Sequence, residues 1–206
     1  MSLLFSIFPG LIDWGKGGIP EWDGESEPWQ ILGNYENSLE SQIMKFLERG
    51  NDVFIHPTAE IGDFVVIEGP SFVGPNSIIR SGAYLRSGSW ICDGALVGHS
   101  SEIKNSVLLP GSKAPHFNYV GDSIVGFGAN LGAGVKLSNV RNDRAEIRLF
   151  LEDGERIDSG LFKLGALVGD GVQIGCNTVT NPGAIIPPEV MVHPNLTISG
   201  WYNPKS

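Results

Sequence analysis

His116 follows a proline and precedes an aromatic residue in the stretch Gly111-Ser112-Lys113-Ala114-Pro115-His116-Phe117-Asn118-Tyr119-Val120-Gly121-Asp122. A neutral imidazole can take a proton from an attacking amine near neutral pH. Arg86 and Lys104 lie eighteen residues apart, with Glu102 just before Lys104. A guanidinium and an ammonium on one face make a clamp suited to a phosphate. Glu102 could orient an imidazole or simply balance charge. On spacing alone, His116 reads equally as a functional base or as a structural loop histidine. His56, His99 and His193 have no comparable neighbours and read as surface or corner residues.

These side chains need elements to position them. From Ile55, every sixth residue reads Ile55, Ile61, Ile67, Val73, Ile79, Leu85, Ile91, Val97, Ile103, Leu109 and Pro115, all but the last aliphatic. The phase resumes at Val125, Leu131 and Leu137, and again at Phe162, Val168, Ile174, Thr180, Ile186 and Val192. A six-residue period matches neither the helical repeat nor a two-residue alternation. It fits a short strand, a corner and a repeat. Three such units close one coil, and inward aliphatic residues stack about 4.8 Å apart. The fold class is therefore all-β, a parallel β-helix. Arg86 and Lys104 fall one coil apart and should stack. Packed coils leave function to outward side chains, corners and loops, so the break at Pro115-His116 marks where a site would lie.

The flanks divide the chain. Residues 1–50 read as an N-terminal cap. Trp14, Trp22 and Trp29 occur there among glycines and prolines without a period, in a segment expected to wrap one end of the solenoid and cover its first open coil. A short helix is predicted near 38–49, with Leu39, Ile43, Phe46 and Leu47 on one face and Gly50 at its end. Residues 51–206 form the β-helix. Near 142–160 the repeat stops. Ile147, Leu149 and Leu151 alternate with polar or aromatic residues before Asp153-Gly154, which predicts a hairpin insertion. It could shield a site, touch a neighbouring chain or be a solvated insertion.

A chain of 206 residues suits one domain with a sizeable core. Its net charge of −9 repels phosphate backbones, so no nucleic-acid partner is expected. Cys92 and Cys176 stand far apart, which argues against a disulfide framework or structural zinc. No metal is expected. The apolar run Leu3 to Phe8 lacks a basic flank and is too short to cross a bilayer, so no membrane partner is expected and a cytoplasmic location is the default. No glycine-rich, arginine-containing nucleotide loop precedes the repeats, so no nucleotidyltransferase domain is expected on this chain.

The stretch Gly111 to Asp122 resembles the Gly-Ser-Lys-Ala-x-His-x-x-Tyr-x-Gly-Asp motif of the acetyltransferase domain of bifunctional glucosamine-1-phosphate acetyltransferase / N-acetylglucosamine-1-phosphate uridyltransferases. The spacing matches without gaps from Arg86 through Glu102, Lys104, His116, Tyr119 and Asn130 to Asn139, within a core of about residues 80–180. The resemblance implies a left-handed coil and a homotrimer with sites in the clefts between subunits. It implies acetyl-CoA as co-substrate and an amino-sugar phosphate, glucosamine 1-phosphate, as acceptor in nucleotide-sugar synthesis. His116 would be the general base, positioned by Glu102. Arg86, Lys104 and Tyr119 would hold the phosphate, and Asn130, Asn139 and Lys163 would complete the sugar site. The backbone near Ala133, with Cys176, would meet the acetyl group.

The second half departs from that pattern. Val140 stands for a tyrosine, Cys176 stands for a serine, and the hairpin is extra. Lys163 to Asp170, Gly175 to Val179, Asn181-Pro182-Gly183 and Glu27 to Leu32 are instead similar to archaeal-type sugar-1-phosphate nucleotidyltransferases with acetyltransferase tails. Cys176 could tune acyl transfer or be inert. The family's C-terminal CoA-binding arginine has no clear counterpart, Lys205 being the nearest candidate. A second function therefore stays open: a non-catalytic trimerising or sugar-phosphate-binding module partnering a separate sugar-1-phosphate nucleotidyltransferase.

Overall fold

The structure is a computed structural model that describes residues 2–15, 17–24, 26–33 and 35–204. Lys205 lies outside the described residues. Three seven-stranded parallel sheets form the faces of a left-handed β-helix. The first sheet starts at Val53–Ile55, the second at Glu60–Ile61 and the third at Val66–Ile67. Each later coil adds one strand to each face.

The inward column of the first sheet pairs Val73 with Ile91, Ile91 with Leu108, Leu108 with Val125, Val125 with Val168, and Val168 with Ile186. Two coils are therefore one residue short of eighteen. This corrects the expected phase. The inward residues are Leu108 and Ala114, not Leu109 and Pro115. The slip falls at Asn105, and again at Asp122, where φ is +44° and +45°. A left-handed residue turns the corner in less chain, and Asn and Asp tolerate that conformation better than most. Phe162 is likewise no core residue. It is exposed, and the inward run restarts at Val168.

The N-terminal segment does not cover the first coil. Leu4, Ile7, Phe8, Trp29, Leu32, Leu39 and Ile43 form one cluster with Phe72, Trp90, Val107, Ile124, Leu167 and Ile185, the outward residues of the first sheet. That sheet is buried on both faces, like the sheets of α/β folds. The first coil keeps an open rim, with Phe64 89% exposed and Ile55, Ile61 and Val66 also exposed. Phe54, Phe72 and Trp90 stack at 4.9 and 4.7 Å, with Phe46 edge-on against the latter two at 5.1 and 5.6 Å. Such pairs contribute roughly 0.5–1.5 kcal/mol each beyond area burial.

The Ser38 hydroxyl accepts from the Ser41 N–H at 3.3 Å and starts the helix Leu39–Ile43. A 3-10 turn, Met44–Phe46, ends it before the extended Leu47, short of the predicted Arg49. Strands Arg148–Phe150 and Arg156–Asp158 pair antiparallel as a hairpin. Ile147 and Leu149 are buried in the same cluster as the N-terminal segment, so the insertion is packed against the body. The Trp29 indole N–H donates to the Ser159 carbonyl at 3.1 Å and ties the two together.

Candidate active site

The pairing of Tyr84 with Glu102 and Leu85 with Ile103 stacks Arg86 on Lys104 at the end of the third sheet. Each cation is already paired. Arg86 Nη1 donates to Glu102 Oε1 at 3.0 Å, and its Nε lies 3.9 Å from Glu68. Lys104 Nζ sits 3.1 and 3.2 Å from the two oxygens of Asp122. The environments differ. The Asp122 side chain is 3% exposed and Lys104 19%, whereas Arg86 and both its partners are over a third exposed and solvent-screened.

Asn105, Asp122 and Asn139 occupy one place on three successive coils. Asn105 Nδ2 donates to Asp122 Oδ1 at 2.8 Å, and Asn139 Nδ2 donates to Asp122 Oδ2. The freed Asn139 Oδ1 accepts from the Tyr119 hydroxyl at 3.4 Å. Burial pushes the Tyr119 phenol pKa up, and the charges of Glu102 and Asp122 add to it. The phenol therefore remains a hydrogen-bond donor at neutral pH. A cavity of about 550 Å³ opens at this corner, lined by Arg86, Lys104, Asp122 and Lys163 together with Tyr35 and Glu40. Glu40 accepts from the Ser87 hydroxyl, and Asn105 Nδ2 also reaches the Leu32 carbonyl at 2.8 Å.

His116 lies at the opposite edge of the third sheet, closing the strand Lys113–His116 of the second. Its register partner is His99 on the preceding coil. Pairing of Lys113 with Asn130 and of Asn130 with Gln173 continues this corner column through Ala133 to Cys176. The close approach has a local cause. A Cβ on Gly98 would lie 1.6 Å from the Pro115 carbonyl oxygen, so only glycine admits this strand. The imidazole is exposed, while its backbone is fixed: the His116 N–H donates to Asn118 Oδ1 at 2.9 Å. Asn118, buried, donates Nδ2 to the Gly132 carbonyl at 2.8 Å. One amide thus ties the histidine to the turn that carries Ala133.

Arg86, Glu102, Lys104, Tyr119, Asn139 and Lys163 thus gather on the third sheet and its far corner. His116, Ala133 and exposed Cys176 gather on the near corner, with Asn130 on the adjoining strand Asn130–Leu131. Within the chain, the Glu102 carboxylate meets Arg86. Sequence reasoning missed Asn105, Asn118 and Asp122. The equal spacing of residues 105, 122 and 139 was the available signal, masked by the assumption of a constant eighteen-residue coil. Tyr35 and Glu40 carry no periodic signal. Among the described residues, no group of three or more His, Cys, Asp or Glu could hold a metal, and no helix is long and apolar enough to cross a membrane.

The family described as GMPPB C-terminal domain matches residues 67–193. A bifunctional sugar-1-phosphate nucleotidylyltransferase/acetyltransferase of Sulfurisphaera tokodaii is 36% identical over 196 residues, covering 86% of this chain and 46% of that protein. A bifunctional protein GlmU of Methanococcus maripaludis is 33% identical over 189 residues, covering 86% of this chain and 44% of the relative. The chain thus spans about half the length of these curated relatives. Among solved structures, PerB from Caulobacter crescentus, in complex with CoA and GDP-perosamine, matches with TM-score 0.38 and 17% identity over 76% of this chain and 62% of that one.

Proposed function

Because this chain belongs to the GMPPB C-terminal domain family, we propose that it transfers an acetyl group from acetyl-CoA to the amine of an amino-sugar phosphate, glucosamine 1-phosphate being the acceptor to test first. The observation that carries this reading is one outward surface. It runs from the exposed His116 imidazole across the third sheet to Tyr119, Lys104 and Arg86. The Sulfurisphaera tokodaii relative, a bifunctional sugar-1-phosphate nucleotidylyltransferase/acetyltransferase, supports acetyl transfer in general.

His116 takes one proton from the sugar ammonium. The freed amine lone pair attacks the thioester carbonyl, a C–N bond forms, and the C–S bond breaks to release the CoA thiolate, which takes up the second proton that the nitrogen loses on becoming an amide. The backbone at the Ala133 turn, with Cys176 beside it, faces the acetyl group. Arg86, Lys104, Tyr119, Asn130, Asn139 and Lys163 hold the sugar phosphate, so that the nucleophile meets the carbonyl at near-attack distance. Glu102 acts through Arg86. The active unit is a homotrimer. In support of it, the first sheet is covered by the chain's own N-terminal segment, which leaves the second and third sheets as the faces open to neighbours.

The test is release of CoA thiol with a panel of amino-sugar 1-phosphates. Turnover that disappears in His116→Ala supports the reading, and no turnover with any member overturns it. One observation favours a second reading. Both cations of the clamp are already neutralised by carboxylates. A non-catalytic trimerising or sugar-phosphate-binding module, partnering a separate sugar-1-phosphate nucleotidyltransferase, expects binding without turnover or co-purification with that partner.

A further inference from the structure

We infer that Asp122 is the positioning residue of the sugar-phosphate site, setting the orientations of Lys104, Asn139 and, through Asn139, Tyr119; the inference rests on the sugar-phosphate reading above. Asp122 bonds directly to two of the candidate binding side chains, Lys104 and Asn139. Its two carboxylate oxygens share the Lys104 ammonium at 3.1 and 3.2 Å and accept one N–H each from Asn105 and Asn139. The carboxylate is almost fully buried, so these contacts are unscreened and directional.

The consequences can be followed atom by atom. An ammonium on a flexible stem has no preferred direction until a fixed acceptor holds it. Asp122 holds the Lys104 ammonium at the lining of the cavity, with N–H capacity left for a phosphate oxygen. An amide whose Nδ2 is committed to Asp122 must present its Oδ1 the other way, and that oxygen receives the Tyr119 hydroxyl. The same residue anchors two flanking segments. Its carbonyl accepts from the Gly165 N–H at 2.7 Å, just after Lys163, and Asn105 carries the link on to the Leu32 carbonyl. Its left-handed φ of +45° is what turns the carboxylate to this corner in a shortened coil. Asp122 is not a catalytic residue, because it acts through other side chains.

A double-mutant cycle tests this. Binding of glucosamine 1-phosphate is measured by calorimetry for the intact protein, Asp122→Asn, Lys104→Met and the double variant, with circular dichroism and sedimentation as folding controls. Asp122→Asn should weaken binding on the order of tenfold. The double variant should lose less than the product of the two single losses, because the route through Lys104 is removed once and only the route through Asn139 and Tyr119 remains. In turnover, Asp122→Asn should raise KM for the sugar phosphate and leave KM for acetyl-CoA in place, a split that general destabilisation does not produce. Losses that multiply in the double variant, or an Asp122→Asn that binds like the parent, overturn the inference while leaving the site reading intact. Should Asp122→Asn not fold, Asp122→Glu decides. It keeps the charge but displaces the carboxylate from Lys104 and Asn139, and an unchanged sugar-phosphate KM there overturns the inference. A parent protein that binds no amino-sugar phosphate overturns the site reading, and this inference with it.

Discussion

Arg86 and Lys104 occupy the same place on successive coils, yet Lys104 faces a buried carboxylate and Arg86 two half-exposed ones. The two cations should therefore differ in what their removal does. Lys104→Met strands the Asp122 charge with the Asn105 and Asn139 amides as its remaining partners among the described residues and should cost about 3 kcal/mol of stability. Arg86→Met should cost under about 1 kcal/mol, since its pairs are screened. Urea unfolding of both variants checks this, and equal losses would contradict it.

His116→Ala should lower acetyl transfer by about 10²–10⁴-fold, the range for loss of a general base. The imidazole is exposed and makes no hydrogen bond among the described residues, so the unfolding midpoint should stay in place. A variant that loses activity only in step with stability would argue for a structural histidine.

Gly98→Ala tests the strand geometry beneath His116. The added carbon meets the Pro115 carbonyl oxygen at 1.6 Å, a backbone atom that cannot swing away. Loss of about 3 kcal/mol is expected from overpacking, with acetyl transfer impaired in whatever fraction still folds. Wild-type stability by thermal unfolding would remove the steric account.

Asp170 gives a pH dependence whose sign can be worked out. Burial raises its carboxyl above the ordinary 3.8, outweighing the N–H groups of Gly10 and Phe127 that it accepts at 2.7 and 2.8 Å. The folded state then binds its proton more tightly than the unfolded state. Its stability contribution is full below 3.8 and is lost as pH rises through the elevated folded value. Between neutral pH and mild acid, the parent should gain stability relative to Asp170→Asn. A stability difference that is flat across that range would refute this.

The assembly is checked by sedimentation, which should report three times the chain mass. Met191 is 77% exposed on the second sheet, one of the two faces left open. If that face packs against a neighbour, Met191→Glu should weaken the trimer, and activity should fall with it. A parent that sediments as a monomer would count against a site shared between subunits.

The six-residue period determined a coil of short parallel strands. Inward aliphatic residues at Val73, Ile79, Leu85, Ile91, Val97 and Ile103 leave no other periodic structure that buries them all. The motif around His116 and the stacking of Arg86 on Lys104 were legible too, because a fixed coil length converts sequence spacing into neighbourhood. The sequence could not decide between Leu108 and Leu109. Both are apolar and fully buried, one inside the coil and one under the N-terminal segment, because a sheet covered on both faces loses its alternation. Only the tertiary structure decided that Leu4, Ile7, Phe8, Trp29, Leu39 and Ile43 pack along the first sheet rather than over the open coil, since an aperiodic, aromatic-rich segment carries no directional signal. It also decided which carboxylate meets which cation. One residue dropped at Asn105 and another at Asp122 bring Asn105, Asp122 and Asn139 into one column, and shortening a corner leaves no mark on composition while shifting every later side chain by one place.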